Sequence, residues 1–297
     1  MKNFSRREFI KKSTLGGVLL ATGTGALLNA CSVKPKSLPK WKIGAYTRLW
    51  GNRYYLEALD GMVEAGYKYV GLSTHEKGRV VDRNSTPEFA AKVGEEIKKR
   101  GLTLVTNSGG SHDVSNSLEE GIAGLKRLIE NSALCGAPVI QINAIHDPLL
   151  MDPFYKAISE CCDYAAEKNM LITIKPHGQS GAFCLEQVKK VNHENFKLWY
   201  DPGNVLHYSF GETDPLDDAI GIGGHLAGMA IKDFQLPRDV NLTPGTGMVD
   251  FPKLMTILED DGFIGGSLVV ELVSQGDFAH LTAEAIKARK FIESITA

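Results

Sequence analysis

The chain has 297 residues, 43% of them apolar and 23% charged, with a formal net charge of -2. This is ordinary globular composition and excludes a disordered or low-complexity chain. Near-neutral charge excludes nucleic acid as the main partner, because binding a phosphate backbone calls for a clear basic surplus.

The first forty residues are set apart. Ser5–Lys12 carries the paired Arg6 and Arg7, then Phe9 and a basic patch, and an apolar, small-residue run follows. That run is too short and too rich in glycine for a comfortable spanning helix. Basic, then apolar, then small is the order of a secretory signal, and paired arginines mark its twin-arginine type. The run ends in LLNAC, similar to a bacterial lipobox, with Leu28 three residues before Cys31 and Ala30 just before it. Residues 1–31 therefore read as a twin-arginine signal with Cys31 as a lipidation site, residues 32–40 as a Pro/Lys tether, and residues 41–297 as one domain. The expected location is the periplasm or an envelope membrane, touched only through the N-terminal lipid anchor. Cleavage elsewhere would instead release a soluble protein. Cys135, Cys161, Cys162 and Cys184 have no metal-ligand spacing and read as core residues.

From Trp41 onward, short β-rich runs alternate with amphipathic helical stretches. The runs are WKIGAY (41–46), YKYVGL (67–72), LTLVTN (102–107), PVIQIN (138–143), LITIK (171–175), FKLWYD (196–201), AGMAIKD (227–233) and SLVVEL (267–272). They are continuously apolar, as strands covered on both faces should be. Helical stretches carry stop and start signals, such as Thr86 as cap, Pro87 in the first turn and Gly101 as stop. Eight strand–helix units in one domain predict an α/β fold of the (β/α)8 type. A doubly wound open sheet is the runner-up, but no glycine-rich phosphate loop follows the first strand.

In such a barrel the chemistry sits at the carboxyl ends of the strands. In order these ends offer Tyr46 and Arg48; Ser73 and His75; Asn107 and His112; Asn143 and His146; Lys175 and His177; Asp201 and Asn204; Lys232 and Asp233; and Glu271. A lone residue of this kind is often a satisfied loop or core polar group. Eight converging ends suit a ligand with many hydroxyls, a small carbohydrate. Arg48, Asn143, His146, Asn204 and Lys232 are the candidate substrate-binding groups.

The last third of the sequence carries a resemblance. WYDPGN (199–204), GMAIKDF (228–234), TPGTGMVDFPKLMTILEDDGF (243–263) and LVVEL (268–272) are similar to the xylose-isomerase-like TIM barrel superfamily of sugar phosphate isomerases and epimerases. The resemblance covers roughly Ile43 to Ile295. It implies a divalent ion (Mn, Co, Mg or Zn) held by two Glu, one Asp and one His, with the paired Glu residues moving a proton next to a sugar carbonyl. Asp201 and Glu271 match that set. The other two positions fall on Lys175 and Ala230.

Three arrangements could complete such a site. Lys175 could replace the metal's charge, holding a carbonyl or enediolate oxygen while Glu271 acts as base. His177 could join Asp201 and Glu271 around a metal, which is the favoured reading because both carboxylate ligands are retained. Lys175 could form a Schiff base, although neighbouring carboxylates would raise its pKa against that role. Glu271, Lys175 and His177 are thus the candidate catalytic residues, and Asp201, Glu271 and His177 the candidate metal ligands. The implied activity is sugar isomerisation or epimerisation. The alternatives are a lyase or hydratase on an oxidised glycoside, or a non-catalytic sugar-binding lipoprotein.

Overall fold

A computed structural model of the protein describes residues 39–297. The segment read as the signal, with Arg6, Arg7 and Cys31, and most of the tether lie outside the described residues. Lys40, assigned to the tether, already belongs to the barrel edge: its carbonyl accepts from the Gly266 amide at 3.1 Å and its ammonium meets Glu259 at 2.7 Å.

Eight parallel strands form a closed barrel: β1 (Trp41–Tyr46), β2 (Tyr69–Leu72), β3 (Thr103–Asn107), β4 (Val139–Asn143), β5 (Leu171–Lys175), β6 (Phe196–Tyr200), β7 (Leu226–Ile231) and β8 (Gly266–Val270). Sequential strands are neighbours, and β1 closes the barrel on β8, pairing Ala45 with Val270. This is the expected (β/α)8 architecture. A short hairpin after β2, Thr74–His75 with Gly78–Arg79, was not foreseen.

The helices around the barrel are α1 (Tyr55–Glu64), α2 (Pro87–Lys99), α3 (Leu118–Cys135), α4 (Pro148–Glu167), α5 (Gly181–Val191), the short α6 (Pro202–Tyr208) and α7 (Pro215–Asp218), α8 (Phe251–Asp260) and α9 (Phe278–Ile295). Their starts follow local chemistry. Thr86 accepts from the Phe89 amide with Pro87 in the first turn of α2, and Ser117 accepts from the Glu120 amide to cap α3. Such caps satisfy amides that have no partner inside the helix. Among the described residues, no helix is long and apolar enough to cross a membrane.

The core has two layers. The larger lies between barrel and helices and holds Leu59, Ile97, Leu128, Ile158 and Leu254. The smaller fills the barrel with Tyr46, Val105, Val139, Trp199, Ala230 and Val269. Strand side chains alternate in direction, so the residue two places beyond each inner apolar one also points inward. Trp199 is followed by Asp201, Ala230 by Lys232 and Val269 by Glu271, while Thr173 leads to Lys175. The pleat therefore lays a charged floor directly on an apolar plug. Cys135, Cys161, Cys162 and Cys184 are buried free thiols, as expected.

Candidate active site

At the carboxyl end of the barrel is a cavity of about 260 Å³. Its floor is a cluster of two lysines and two carboxylates drawn from four consecutive strands. Lys175, at the end of β5, reaches Glu271 Oε2 at 2.8 Å and Asp201 Oδ2 at 3.0 Å. Lys232, just past β7, reaches Asp201 Oδ2 at 2.9 Å, Asn204 Oδ1 at 2.5 Å and Glu271 Oε1 at 3.3 Å. Arg48 adds a third cation on Glu271 Oε1 at 2.9 Å. All but Arg48 are almost fully buried.

The local sequence explains the positions. In Asp201–Asn204, Pro202 opens α6 and Asp201 caps it, Oδ1 accepting from the Asn204 amide at 2.9 Å. That leaves Oδ2 for both lysines. Gly203 is required by close approach, since a Cβ there would lie 2.5 Å from the Lys232 carbonyl oxygen. Asn204 donates to the Pro176 carbonyl at 2.7 Å, tying the end of β5 to α6.

Lys232 and Asp233 do not pair with each other. Asp233 points away from the cavity and accepts from the amides of Phe234, Gly245, Gly247 and Val249 at 2.8–3.1 Å. The TPGTG segment is thus a loop folded around one buried carboxylate.

Charge states follow from these contacts. Burial opposes the charge of Glu271, but Lys175, Lys232 and Arg48 hold its carboxyl well below the usual carboxylate range. Burial likewise opposes the charge of Lys175, but Glu271 and Asp201 outweigh it and keep the pKa above its ordinary value. A Schiff-base lysine needs the opposite shift, which corrects that arrangement. His177 is pushed down to about 4, first by burial and then by Lys175 and Lys232.

The metal reading is corrected as well. His177 Nε2 and the Tyr208 hydroxyl share a 2.7 Å hydrogen bond, and the ring packs against Tyr208 rather than joining Asp201 and Glu271. Every oxygen of the two carboxylates already accepts from an amide, an ammonium or a guanidinium. Ala230, at the position of the absent histidine, belongs to the apolar plug. Among the described residues, no three His, Cys, Asp or Glu side chains gather as a ligand set. A divalent ion would have to enter where two ammonium groups stand, and like charges repel. These residues do not fit one.

Of the other candidates, Arg48, Asn143, Asn204 and Lys232 line the cavity, with Tyr46 and Ser73. His146 does not line it; it sits edge-on to His177, with ring centroids 6.2 Å apart. His75 packs against Tyr54 and Tyr55, Asn107 turns outward to Ser132 on α3, and His112 stacks on Phe154. Sequence reading missed Arg79, Ser108, Gln141, His207 and Tyr208. Gln141 was detectable, since it stands two residues before Asn143 on the inner face of β4. Arg79 was not, because the unforeseen hairpin brings it to the mouth.

The profile of the xylose isomerase-like TIM barrel family matches residues 59–295. The chain belongs to this family. No curated protein matches it by sequence. Among solved structures, a D-psicose 3-epimerase in the presence of D-fructose superposes with a TM-score of 0.70 at 16% identity, over 86% of this chain and 99% of the other. The 3-keto-D-glucoside 4-epimerase from E. coli gives 0.64 at 17%, over 85% and 100%. A family protein from Mycobacterium smegmatis, in complex with magnesium, gives 0.67 at 15%, over 86% and 98%. At these identities the likeness shows the shared barrel.

Proposed function

We propose that the protein is a sugar isomerase/epimerase-like enzyme in which Lys175 and Lys232 supply the positive charge that a metal supplies elsewhere in the family. The observation that carries this reading is the buried Lys175–Glu271–Lys232–Asp201 cluster at the cavity floor of a family barrel. The epimerases among the structural neighbours support a small sugar as ligand.

The chemistry follows from the geometry. A sugar carbonyl oxygen above the floor would accept from the lysine ammonium groups. Glu271 takes the proton from the neighbouring carbon, the C–H electron pair becomes the C=C bond, and the carbonyl oxygen becomes an enediolate oxygen. The ammonium groups are preorganised where that charge develops, which is the usual dominant contribution of such sites. As the substrate oxygen draws them, their hold on Glu271 loosens and its basicity rises. With Lys175 standing where the resemblance places a second Glu, one carboxylate base remains. This suits returning the proton to the adjacent carbon on the same face, or eliminating a leaving group from an oxidised glycoside.

A second reading has its own support. Three cations on Glu271 make it a weak base in the free protein, as a sugar-binding lipoprotein on the same scaffold would tolerate. Glu271→Gln separates the two. For an enzyme, turnover on a panel of keto and aldo sugars is lost while binding persists; for a binder, the unaltered protein binds and turns over none. Chelator treatment and metal analysis test the lysine reading, and full activity without a stoichiometric metal is expected. Activity that vanishes with chelator and returns with one divalent ion would overturn it.

The proposed setting is the bacterial envelope, reached by twin-arginine export, with Cys31 lipidated. The RREF segment and LLNAC ending support this. Replacing both Arg6 and Arg7 by Lys should leave the protein in the cytoplasm, and Cys31→Ser should release it from membranes in cell fractionation.

A further inference from the structure

The cavity holds more positive charge than the proposed enolisation uses. Arg48, Arg79, Lys175 and Lys232 face it, against the carboxylates of Asp201 and Glu271, an excess of two positive charges. The two lysines and Arg48 are accounted for by ion pairs with those carboxylates. Arg79 is not. Its Nη1 donates to the carbonyl and hydroxyl of Ser108, at 2.7 and 2.9 Å, and it makes no ion pair among the described residues. Ser108 therefore fixes one end of the guanidinium, and the side chain lines the cavity.

A half-buried guanidinium with no carboxylate in ion-pair contact is costly. Burial first, and then the neighbouring Arg48, work against this one, and the carboxylates of Glu271 and Asp82 offset them only in part. Such a cost is sustained where a ligand supplies the missing charge. A guanidinium held at one nitrogen keeps a free edge of donors, the geometry that grips a planar or tetrahedral oxyanion at two points. The cavity, about 260 Å³, lies below the roughly 300–1,000 Å³ of pockets for drug-sized ligands, so the ligand is of monosaccharide size.

We propose that the substrate is an anionic sugar whose carboxylate or phosphate group is seated by Arg79, with Arg48 beside it. This rests on the sugar-enolising reading above and names the substrate class of that same site. Arg79 on this view sets specificity, away from the reacting carbon on the lysine floor.

The test is calorimetric binding to the full chain. The probes are neutral sugars (D-fructose, D-glucose), sugar acids (D-glucuronate, D-gluconate) and sugar phosphates (glucose 6-phosphate, fructose 6-phosphate), each at low and high salt. At least one anionic class should bind about tenfold or more tighter than its neutral counterpart, and the advantage should shrink with salt. Which class gains identifies the oxyanion. Arg79→Gln should weaken the anionic ligand by roughly 30-fold and the neutral one by no more than about threefold, and Arg79→Lys should restore part of the difference. The salt dependence of the unaltered protein stands even if a variant folds poorly. Neutral sugars binding as tightly as both anionic classes, or an equal loss for all ligands in Arg79→Gln, would overturn the proposal. Tight binding of a sugar acid with no turnover would sink the enolisation reading alone. Turnover of neutral ketoses with no gain for their anionic forms would sink this inference alone.

Discussion

At the residue scale, the site turns on what a lysine does where the family resemblance places a metal-binding glutamate. Lys175 is buried against Glu271 and Asp201, so removing its charge leaves two carboxylates with too few partners. Lys175→Met is expected to lower stability by roughly 3–5 kcal/mol and kcat by roughly a hundred- to thousand-fold, as read by denaturant unfolding and steady-state kinetics. A near-native kcat in a folded variant would remove Lys175 from the chemistry. His112 makes a separate, structural prediction. It is buried on Phe154 with Nε2 donating to the Phe154 carbonyl at 3.0 Å, and burial pushes its pKa down to about 4. The unfolded chain takes up that proton near pH 6.5. Stability from this group is therefore fully present above about pH 6.5 and is lost as pH falls towards 4, by on the order of 3 kcal/mol. His177 contributes in the same direction. Denaturation midpoints measured across this window should slope less steeply in His112→Gln.

At the element scale, loops position the floor. Gly178 has φ +100, and a Cβ there would lie 1.7 Å from His146 Cε1. Gly178→Ala should therefore displace His146 and the turn after β5, raising KM more than it lowers stability. An unchanged KM would show that this turn does not shape the cavity. Asp233 anchors the loop after β7. Its carboxylate gathers four backbone amides of the loop after β7, and a charged acceptor is worth roughly 1.5–3 kcal/mol per bond. Asp233→Ala should free residues 243–249, seen as new protease cleavage there. Both roles were partly legible. The strand ends and the Gly/Pro-rich loop stood out in the sequence, but nothing local to Lys232 and Asp233 says which of the two enters the cavity. The alternation of a strand end, which sends one inward and the other to the loop, decided between those outcomes.

At the scale of the whole molecule, the barrel closes by pairing β1 with β8, and Lys40 joins its edge through the Gly266 amide. A chain starting at Pro39 is expected to keep the unfolding midpoint and the ligand affinity of the full protein. A large loss of either would show that the preceding residues support the barrel. The sequence by itself determined the eight strand–helix units, the helix caps and the polar strand ends, because hydrophobic periodicity and capping are local. It also determined that Lys175 and Ala230 break the usual ligand set, because that is a matter of residue identity at motif positions. Only the tertiary structure decided what stands in its place. His177 turned to Tyr208, the two lysines shared two carboxylates, and an unforeseen hairpin carried Arg79 to the mouth. These outcomes depend on through-space charge, burial and strand register among residues far apart in the chain, 96 positions for Lys175 and Glu271 and 223 for Arg48 and Glu271, and no local pattern encodes them.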